Sequence, residues 1–201
     1  MNKLSQFISK PTTIHLDALH HLLRYLKATP GQGLLFSRTK TLKLTAYCDA
    51  DWGNCVDTRK STTEFCVFLG DSLISWKSKK QMTVSRSSTE AEYRALASVS
   101  SELKWLKALL LDFQVILPPS MVLCDSQSAI HIASSPTFHE RTKHIEIDCH
   151  FVRELVQQGV LKLIHGRSKQ QLADLLTKPL AAPLFQDLKA KMRLLNIYNP
   201  S

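Results

Sequence analysis

Four acidic residues lie at points where the sequence predicts that secondary-structure elements meet. Asp49 follows the alternating run LKLTAYC, Asp125 follows the apolar run SMVLC, and Asp174 lies among leucines in QLADLL. Glu92 lies near the start of a long helical pattern. Gathered in a dry cleft, such carboxylates raise one another's pKa values, and divalent cations relieve the repulsion. Oxygen ligands suit Mg²⁺ or Mn²⁺, and two such ions about 4 Å apart are the usual clamp for phosphodiester displacement.

Taken singly, each aspartate also fits a simpler structural role. Asp125 precedes a helical pattern, for example, and could merely cap that helix. The charge of the chain favours the joint interpretation, because a formal net charge of +9 predicts a polyanionic partner. Nucleic acid is favoured over a membrane surface, since no basic amphipathic anchor is evident. We expect no membrane association, because no apolar run approaches the roughly 20 residues that span a bilayer.

The cysteines indicate a reducing environment. There are five, an odd number, and no two of them form a CxxC pair. They are therefore predicted to be small buried side chains, not a disulfide or zinc framework. No signal-peptide pattern opens the chain, so we expect an intracellular location, in the cytoplasm or the nucleus.

The longest helical pattern covers residues 87–113 and contains no proline or glycine. Ser87 followed by Glu90 is typical of a capping box at a helix start. Apolar residues then recur at three-and-four spacing from Ala95 to Phe113, which predicts one buried stripe. Extended backwards, that stripe reaches Glu92, so this carboxylate is predicted to share the buried face. Glu90 is instead predicted to form a solvated i,i+4 ion pair with Arg94.

The remaining patterns give the order β-β-β-α-β-α-α-β-α after a short helical segment. Strands are predicted at residues 42–48, 64–69, 72–76, 120–124 and 160–164. Helices are predicted up to about residue 29, at 87–113, directly after residue 125, at 145–158, at 169–178 and at 184–198. Three strands followed by a long helix suggest an antiparallel meander that continues into α/β winding. The crevice outside the strand ends is where such sheets bind ligands.

Seven segments, in order and spread over nearly the whole chain, carry a family resemblance. They are YCDADW at 47–52, DTRKST at 57–62, SWKSKKQ at 75–81, SSTEAEYRALA at 87–97, CDSQSAI at 124–130, RTKHIEIDCHFVRE at 141–154 and QLADLLTKPL at 171–180. They resemble the ribonuclease H domain of copia-type retrotransposon polyproteins. The segment before it, at 4–36, resembles the last part of the reverse transcriptase. The resemblance implies an α/β ribonuclease H-like fold, with a five-stranded mixed sheet whose first three strands are antiparallel, flanked by helices.

The same resemblance implies an activity, which is metal-dependent cleavage of the RNA strand of RNA–DNA hybrids. It implies two Mg²⁺ ions, for which Mn²⁺ can substitute. Asp49 would bind both ions, Glu92 and Asp125 would complete one site, and Asp174 would complete the other. The products would carry 5′-phosphate and 3′-hydroxyl ends. The resemblance also selects Glu92 over Glu90, in agreement with the helical stripe.

Two positions depart from the family pattern. Many relatives carry a histidine in a longer glycine-rich loop before the last aspartate, where it helps product release. Here only a short GRSKQ segment intervenes, and His165 is predicted to belong to the strand end. Glu64 stands where relatives often have glycine, and its carboxylate is either neutral in effect or a sign of a decaying copy.

Basic residues near the predicted cleft are candidates for contacts with the phosphate backbone. The favoured group is Lys77, Lys79 and Lys80 beside Trp76, because cations that alternate with an aromatic ring suit a backbone groove. The further candidates are Arg59, Lys60, Arg86, Arg141, Lys143 and His144. The histidines at 139, 144 and 150 lack the i,i+4 helical pairing of a zinc site.

The chain is predicted to contain three parts: a helical remnant of the reverse transcriptase at 1–36, a ribonuclease H domain at 37–180 and a helical tail at 181–201. A reverse transcriptase domain, in cis or in trans, is the expected protein partner. Two alternatives remain open. One is a truncated, catalytically silent remnant that binds nucleic acid, since the chain opens with Met inside the reverse-transcriptase-like segment. The other is an integrase or transposase nuclease of the same fold, although those enzymes usually take their glutamate from a late helix.

Overall fold

The computed structural model describes residues 2–38, 41–135 and 145–198. The strands are β1 Gln32–Leu34, β2 Leu44–Asp51, β3 Thr62–Leu69, β4 Ser72–Lys80, β5 Ser120–Cys124, β6 Leu161–His165 and β7 Leu194–Asn196. The helices are α1 Asn2–Ser5, α2 Thr13–Ala28, α3 Ser88–Asp112, α4 Gln127–Ser134, α5 Glu146–Gln157 and α6 Ala182–Lys191. Among these helices, each is too short or too polar to cross a lipid bilayer.

The main sheet has five strands in the order β4-β3-β2-β5-β6. β2, β3 and β4 run antiparallel, whereas β5 is parallel to β2 and β6 is parallel to β5. The turn between β3 and β4 contains Gly70, whose φ of 60° suits glycine better than any residue with a side chain. The predicted mixed sheet with three antiparallel strands first is therefore confirmed.

Both faces of this sheet are covered, so its centre is buried on two sides. On one face α3, α4 and α5 build a large apolar core with β2 and β5; its side chains include Leu44, Val67, Leu96, Val99, Val122, Ala129 and Val152. On the other face α6 and the segment at 172–176 pack against Cys66 and Phe68 of β3. Fully burying one aliphatic or aromatic side chain stabilises a fold by about 1.5–3 kcal/mol. These two cores therefore fix the sheet that carries the acidic residues.

Helix α3 follows the predicted pattern at its start and middle, but it ends at Asp112, and Phe113, the predicted end of the buried stripe, is 70% exposed. Ser87 caps it, and its hydroxyl accepts a hydrogen bond from the backbone N–H of Glu90 at 3.2 Å. The stripe that contains Leu96, Val99 and Leu103 is buried against the sheet. Glu92 lies on this buried side, as the extended stripe predicts.

The predicted helix at 169–178 is wrong. The chain instead makes two short 3-10 turns, Ser168–Gln170 and Leu172–Leu176. Leu172, Ala173 and Asp174 are all buried, and three consecutive residues cannot share one face of an α-helix. Gln171 fixes this geometry, because its side-chain amide donates to the backbone carbonyl of Cys48 at 2.8 Å. The turn that carries Asp174 is thereby fastened to strand β2.

The predicted C-terminal helix at 184–198 is also too long. α6 ends at Lys191, and Arg193 adopts a φ of 57°, which reverses the chain. β7 then pairs antiparallel with β1, a strand that the sequence patterns did not predict. The segment at 1–36 and the tail at 181–201 thus meet in a two-stranded sheet. The three-part division of the chain stays a prediction.

Candidate active site

Asp49 lies near the end of β2, at the centre of the sheet. Only 2% of the residue is exposed, because the turn at 172–176 covers this face of the strand. In the antiparallel register Asp49 stands directly opposite Glu64 of β3. Residues paired in this way point to the same face of a sheet, about 5 Å apart. Two carboxyl groups therefore lie side by side in the interior.

Glu92 approaches Asp49 from the first turns of α3 and is 9% exposed. Its Oε2 atom makes no hydrogen bond of good geometry with the described residues. The ligand atoms of Glu92, Cys124 and Asp125 all lie within 4.8 Å of one another. Burial first, and then the neighbouring charge of Asp49, raises the pKa of Glu92 to about 10. Glu92 is thus a desolvated acid whose charged form a nearby cation would stabilise.

Asp125 directly follows β5, which brings it beside the end of β2 in the parallel pair. The Ser168 hydroxyl donates to its Oδ2 atom at 2.8 Å, and His165 Nε2 lies 3.1 Å from its backbone carbonyl oxygen. His165 forms the end of β6, as predicted. The carboxylate of Asp125 is therefore oriented by a residue of the 3-10 turn that follows β6.

Asp174 completes the group, and Lys178 joins it to Asp49. Lys178 Nζ lies 2.6 Å from Asp49 Oδ2 and 2.8 Å from Asp174 Oδ1. Burial raises the pKa of Asp174 to about 6, against the opposing effect of Lys178. For Lys178 burial acts against the charge, but hydrogen bonds to Asp174 and Asp49 outweigh it and raise the pKa. The four acids predicted from the sequence thus meet at one point of the fold.

Glu64 adds a fifth carboxyl group whose position the sequence patterns missed. The residue is completely buried, and neither of its oxygens makes a hydrogen bond of good geometry with the described residues. Burial and the adjacent Asp49 raise its pKa to about 9, although the nearby Thr177 hydroxyl and Lys178 act in the opposite direction. The only signal in the sequence was an acid at a position where glycine is common in relatives. Its pairing with Asp49 depends on strand register, which the sequence did not supply.

Glu90 is buried, contrary to the predicted solvated ion pair. Its carboxylate does pair with Arg94, at 3.0 Å, but only 4% of Glu90 is exposed. The other oxygen accepts a hydrogen bond from the backbone N–H of Arg86 at 2.7 Å. These contacts hold the chain where it enters α3. Glu90 therefore supports the helix start, whereas Glu92 faces the acidic group.

The donor set fits divalent cations with a preference for oxygen ligands. Asp49, Glu92, Asp125 and Asp174 supply carboxylate oxygens, and the Oε2 of Glu92 is buried without a hydrogen bond of good geometry to the described residues. Cys124 lies in the same group, but Mg²⁺ binds oxygen in preference to sulfur. The residues present therefore suit Mg²⁺ or Mn²⁺.

Comparison with known proteins gives the family. The chain is 47% identical over 193 residues to the retrovirus-related Pol polyprotein from transposon RE1 of Arabidopsis thaliana. The aligned region covers 96% of the chain and 13% of that polyprotein. It is 38% identical over 175 residues to the corresponding polyprotein from transposon TNT 1-94 of Nicotiana tabacum, covering 87% of the chain and 13% of that protein. This chain belongs to the copia-type retrotransposon Pol family. No family model matches it.

Solved structures give the fold of this Pol segment. The N-terminal ribonuclease H domain of a Mycobacterium tuberculosis protein matches with a TM-score of 0.50 at 15% identity, covering 75% of the chain and 98% of that domain. Ribonuclease H1 LC11, isolated from compost, matches with a TM-score of 0.52 at 15% identity, covering 68% of the chain and 93% of the enzyme. The Pol segment therefore has the ribonuclease H fold, as the motifs implied. It spans about an eighth of the length of the Pol polyproteins it matches, 13% for transposon RE1.

Some of the residues of this Pol segment that are predicted to contact nucleic acid lie on the edge strand β4, and the others lie outside it. Strand alternation points Lys77 and Lys79 to one face and Trp76 and Lys80 to the other. On the first face Lys77 Nζ lies 3.4 Å from the hydroxyl of Ser98 in α3 and stands over the Phe65 ring. On the other face Trp76 is 55% exposed. The strand thus offers cations on both of its faces.

The other predicted contacts divide between described and undescribed residues. Arg86 is exposed just before α3, and Lys80 Nζ donates to Gln6 Oε1 at 2.8 Å. Arg141, Lys143 and His144 lie outside the described residues. Four of the five cysteines are buried, as predicted, whereas Cys55 is only half-buried.

Proposed function

We propose that this Pol segment is a metal-dependent endoribonuclease that cleaves the RNA strand of RNA–DNA hybrids. The observation that carries the proposal is the convergence of Asp49, Glu92, Asp125 and Asp174 on a ribonuclease H sheet. Burial first, and the neighbouring charge of Asp49 second, raise the pKa values of both Glu92 and Asp174, and a cation would offset both effects. A group of this kind suits phosphodiester hydrolysis at a site for divalent ions.

The four acids would hold the divalent ions. Glu92 and Asp125 would serve one ion, Asp174 would serve another, and Asp49 would be shared. The ions would supply Lewis acidity and a water molecule of lowered pKa. Ser168 would keep Asp125 in one orientation through its 2.8 Å hydrogen bond. The raised pKa of Glu92 means that the metal-free protein holds a proton there at neutral pH, so binding an ion would release that proton.

The positive charge of the chain would hold the hybrid against the site. We propose phosphate contacts from Lys77, Lys79 and Lys80 on β4 and from Arg86, and Arg141 and Lys143 stay candidates on sequence grounds. These contacts would position the duplex and would not depend on base sequence, because phosphates carry no sequence information. A reverse transcriptase domain of the same polyprotein is the proposed partner, since the relatives are Pol polyproteins far longer than this chain. Attachment to such a domain would raise the effective concentration of the hybrid.

The decisive experiment is cleavage of labelled substrates in the presence of Mg²⁺. The wild type should cut the RNA strand of an RNA–DNA hybrid and leave 5′-phosphate ends. Asp49→Asn should abolish this activity, because it removes the shared carboxylate. Asp187→Asn is the matched control, since Asp187 is an exposed acid that pairs with Lys191 outside the acidic group.

Each alternative function predicts a different outcome of the same assay. Hybrid binding without any cleavage by the wild type would support the catalytically silent remnant and contradict the proposal. Cleavage of DNA strands with RNA left intact would support an integrase or transposase type of nuclease. Equal activity of the wild type and Asp49→Asn would refute the assigned site.

A further inference from the structure

Lys178 lies between two of the acids that would bind metal. Its Nζ atom is 2.6 Å from Asp49 Oδ2 and 2.8 Å from Asp174 Oδ1, so one ammonium group bridges both carboxylates. The side chain is 35% exposed, which gives the ammonium a path to solvent. The ligand set predicted from the sequence contained only the four acids and did not include Lys178. Its position therefore needs an explanation beyond the four-acid site.

The local chain geometry holds Lys178 in this place. The backbone N–H of Lys178 donates to the carbonyl of Asp174 at 2.9 Å, which sets the i,i+4 spacing of the pair. The preceding turn is anchored by buried Leu172 and Ala173. Gln171 ties the same turn to Cys48 of β2, the neighbour of Asp49 in the chain. The main chain thus places Lys178 within reach of both carboxylates.

The two sides of the acidic group, Asp49 with Asp174 and Glu92 with Asp125, differ in the positive charge that lies beside them. Among the described residues, the ion pairs of this group involve Asp49 and Asp174 and not Glu92 or Asp125. On the other side, the Oε2 of Glu92 is buried without a hydrogen bond of good geometry to the described residues. An ammonium group and a divalent cation repel each other, so placing both against the same carboxylate oxygens costs free energy.

We propose that the Lys178 ammonium is a built-in cation that occupies the place between Asp49 and Asp174 in the resting protein. This inference rests on the proposed function, because it concerns the same carboxylates. The free protein would then take one divalent ion, on the side of Glu92 and Asp125. The side of Asp174 would accept a second ion only when Lys178 moves away, for example when the phosphates of a substrate attract it.

The test is to count bound Mn²⁺ in the full chain without nucleic acid, by isothermal titration and by the loss of the free-ion signal in electron paramagnetic resonance. Lys178→Met removes the charge and keeps a long side chain. Lys191→Met is the matched control, because it removes another i,i+4 lysine–aspartate pair, to Asp187, outside the acidic group. Metal-free thermal unfolding is measured for all three proteins.

The inference expects one Mn²⁺ in the wild type and in Lys191→Met, and two in Lys178→Met. It also expects that Lys178→Met melts lower than the wild type without metal, and that Mn²⁺ removes the difference. Two ions in the wild type would overturn the inference and leave the proposed function intact, and this count needs no variant. One ion in both the wild type and Lys178→Met would overturn it as well. No bound ion in any of the proteins would overturn the proposed function and the inference with it.

Discussion

Replacing Glu64 with glutamine should stabilise the metal-free protein, and the gain should increase with pH. Glu64 is fully buried opposite Asp49, and these surroundings raise its pKa from 4.5 to about 9. In the unfolded chain the same group releases its proton above about pH 4.5. Between pH 4.5 and pH 9 the folded protein therefore binds more protons than the unfolded chain, so the free energy of unfolding falls as pH rises. Glutamine does not titrate and avoids this loss.

The size of the effect follows from the pKa difference. One pKa unit corresponds to about 1.36 kcal/mol. Between pH 5 and pH 8 the wild type should therefore lose roughly 3 × 1.36, or about 4 kcal/mol, relative to Glu64→Gln. Solvent screening does not reduce this value, because the group is 0% exposed. The comparison of two pH values also cancels any constant difference between an amide and a protonated carboxyl group.

The assay is urea unfolding with EDTA at several values between pH 5 and pH 8. Glu154→Gln is the control, since the same substitution is made there on an exposed face of α5. Its unfolding free energy should follow that of the wild type at every pH. If Glu64→Gln also runs parallel to the wild type, Glu64 does not carry a raised pKa and the burial opposite Asp49 is wrong.

Two further predictions concern the site and the substrate. Glu92→Gln should abolish hybrid cleavage. Folded Glu90→Gln should keep an activity within a few-fold of the wild type, because Glu90 only supports the start of α3. Comparable losses of activity in both variants would show that Glu92 has no special role. Replacing Lys77, Lys79 and Lys80 with alanine should weaken hybrid binding in Ca²⁺ and flatten its salt dependence by about 0.7–0.9 log unit per lost phosphate contact per log unit of salt. An unchanged slope across a salt series would move the substrate groove away from β4.

Local sequence patterns predicted the structural features that depend on residues close together in the chain. The three-and-four spacing in α3 placed Glu92 on the buried side, because helical periodicity is set by the backbone alone, but it did not predict the burial of Glu90. The alternation in β2 and the apolar run of β5 likewise predicted that Asp49 and Asp125 lie at strand ends, whereas the pairing of these two strands came from the structure. The family resemblance added the five-stranded mixed sheet, whereas the strand order came only from the structure. The predictions for α3, β2 and β5 agree with the fold because the local secondary-structure propensity and the burial of apolar side chains favour the same structure in these segments.

Other features depended on which distant segments meet. Glu64 lies against Asp49 because of the β2–β3 register, and a shift of one residue would have turned it to the opposite face. The segment at 169–178 had a helical composition, but the buried amide of Gln171 bonds to β2 and divides it into 3-10 turns.

Lys178 likewise has one contact that the sequence indicates and one that depends on the tertiary structure. Its i,i+4 spacing from Asp174 is visible in the sequence, whereas its ion pair with Asp49 joins residues far apart in the chain. The sequence by itself therefore predicted the four acids, and it predicted the elements that carry Asp49, Glu92 and Asp125 but not the 3-10 turn that carries Asp174. The tertiary structure alone decided the charge that surrounds those acids, because burial and ion pairing depend on packing between segments that are remote in sequence.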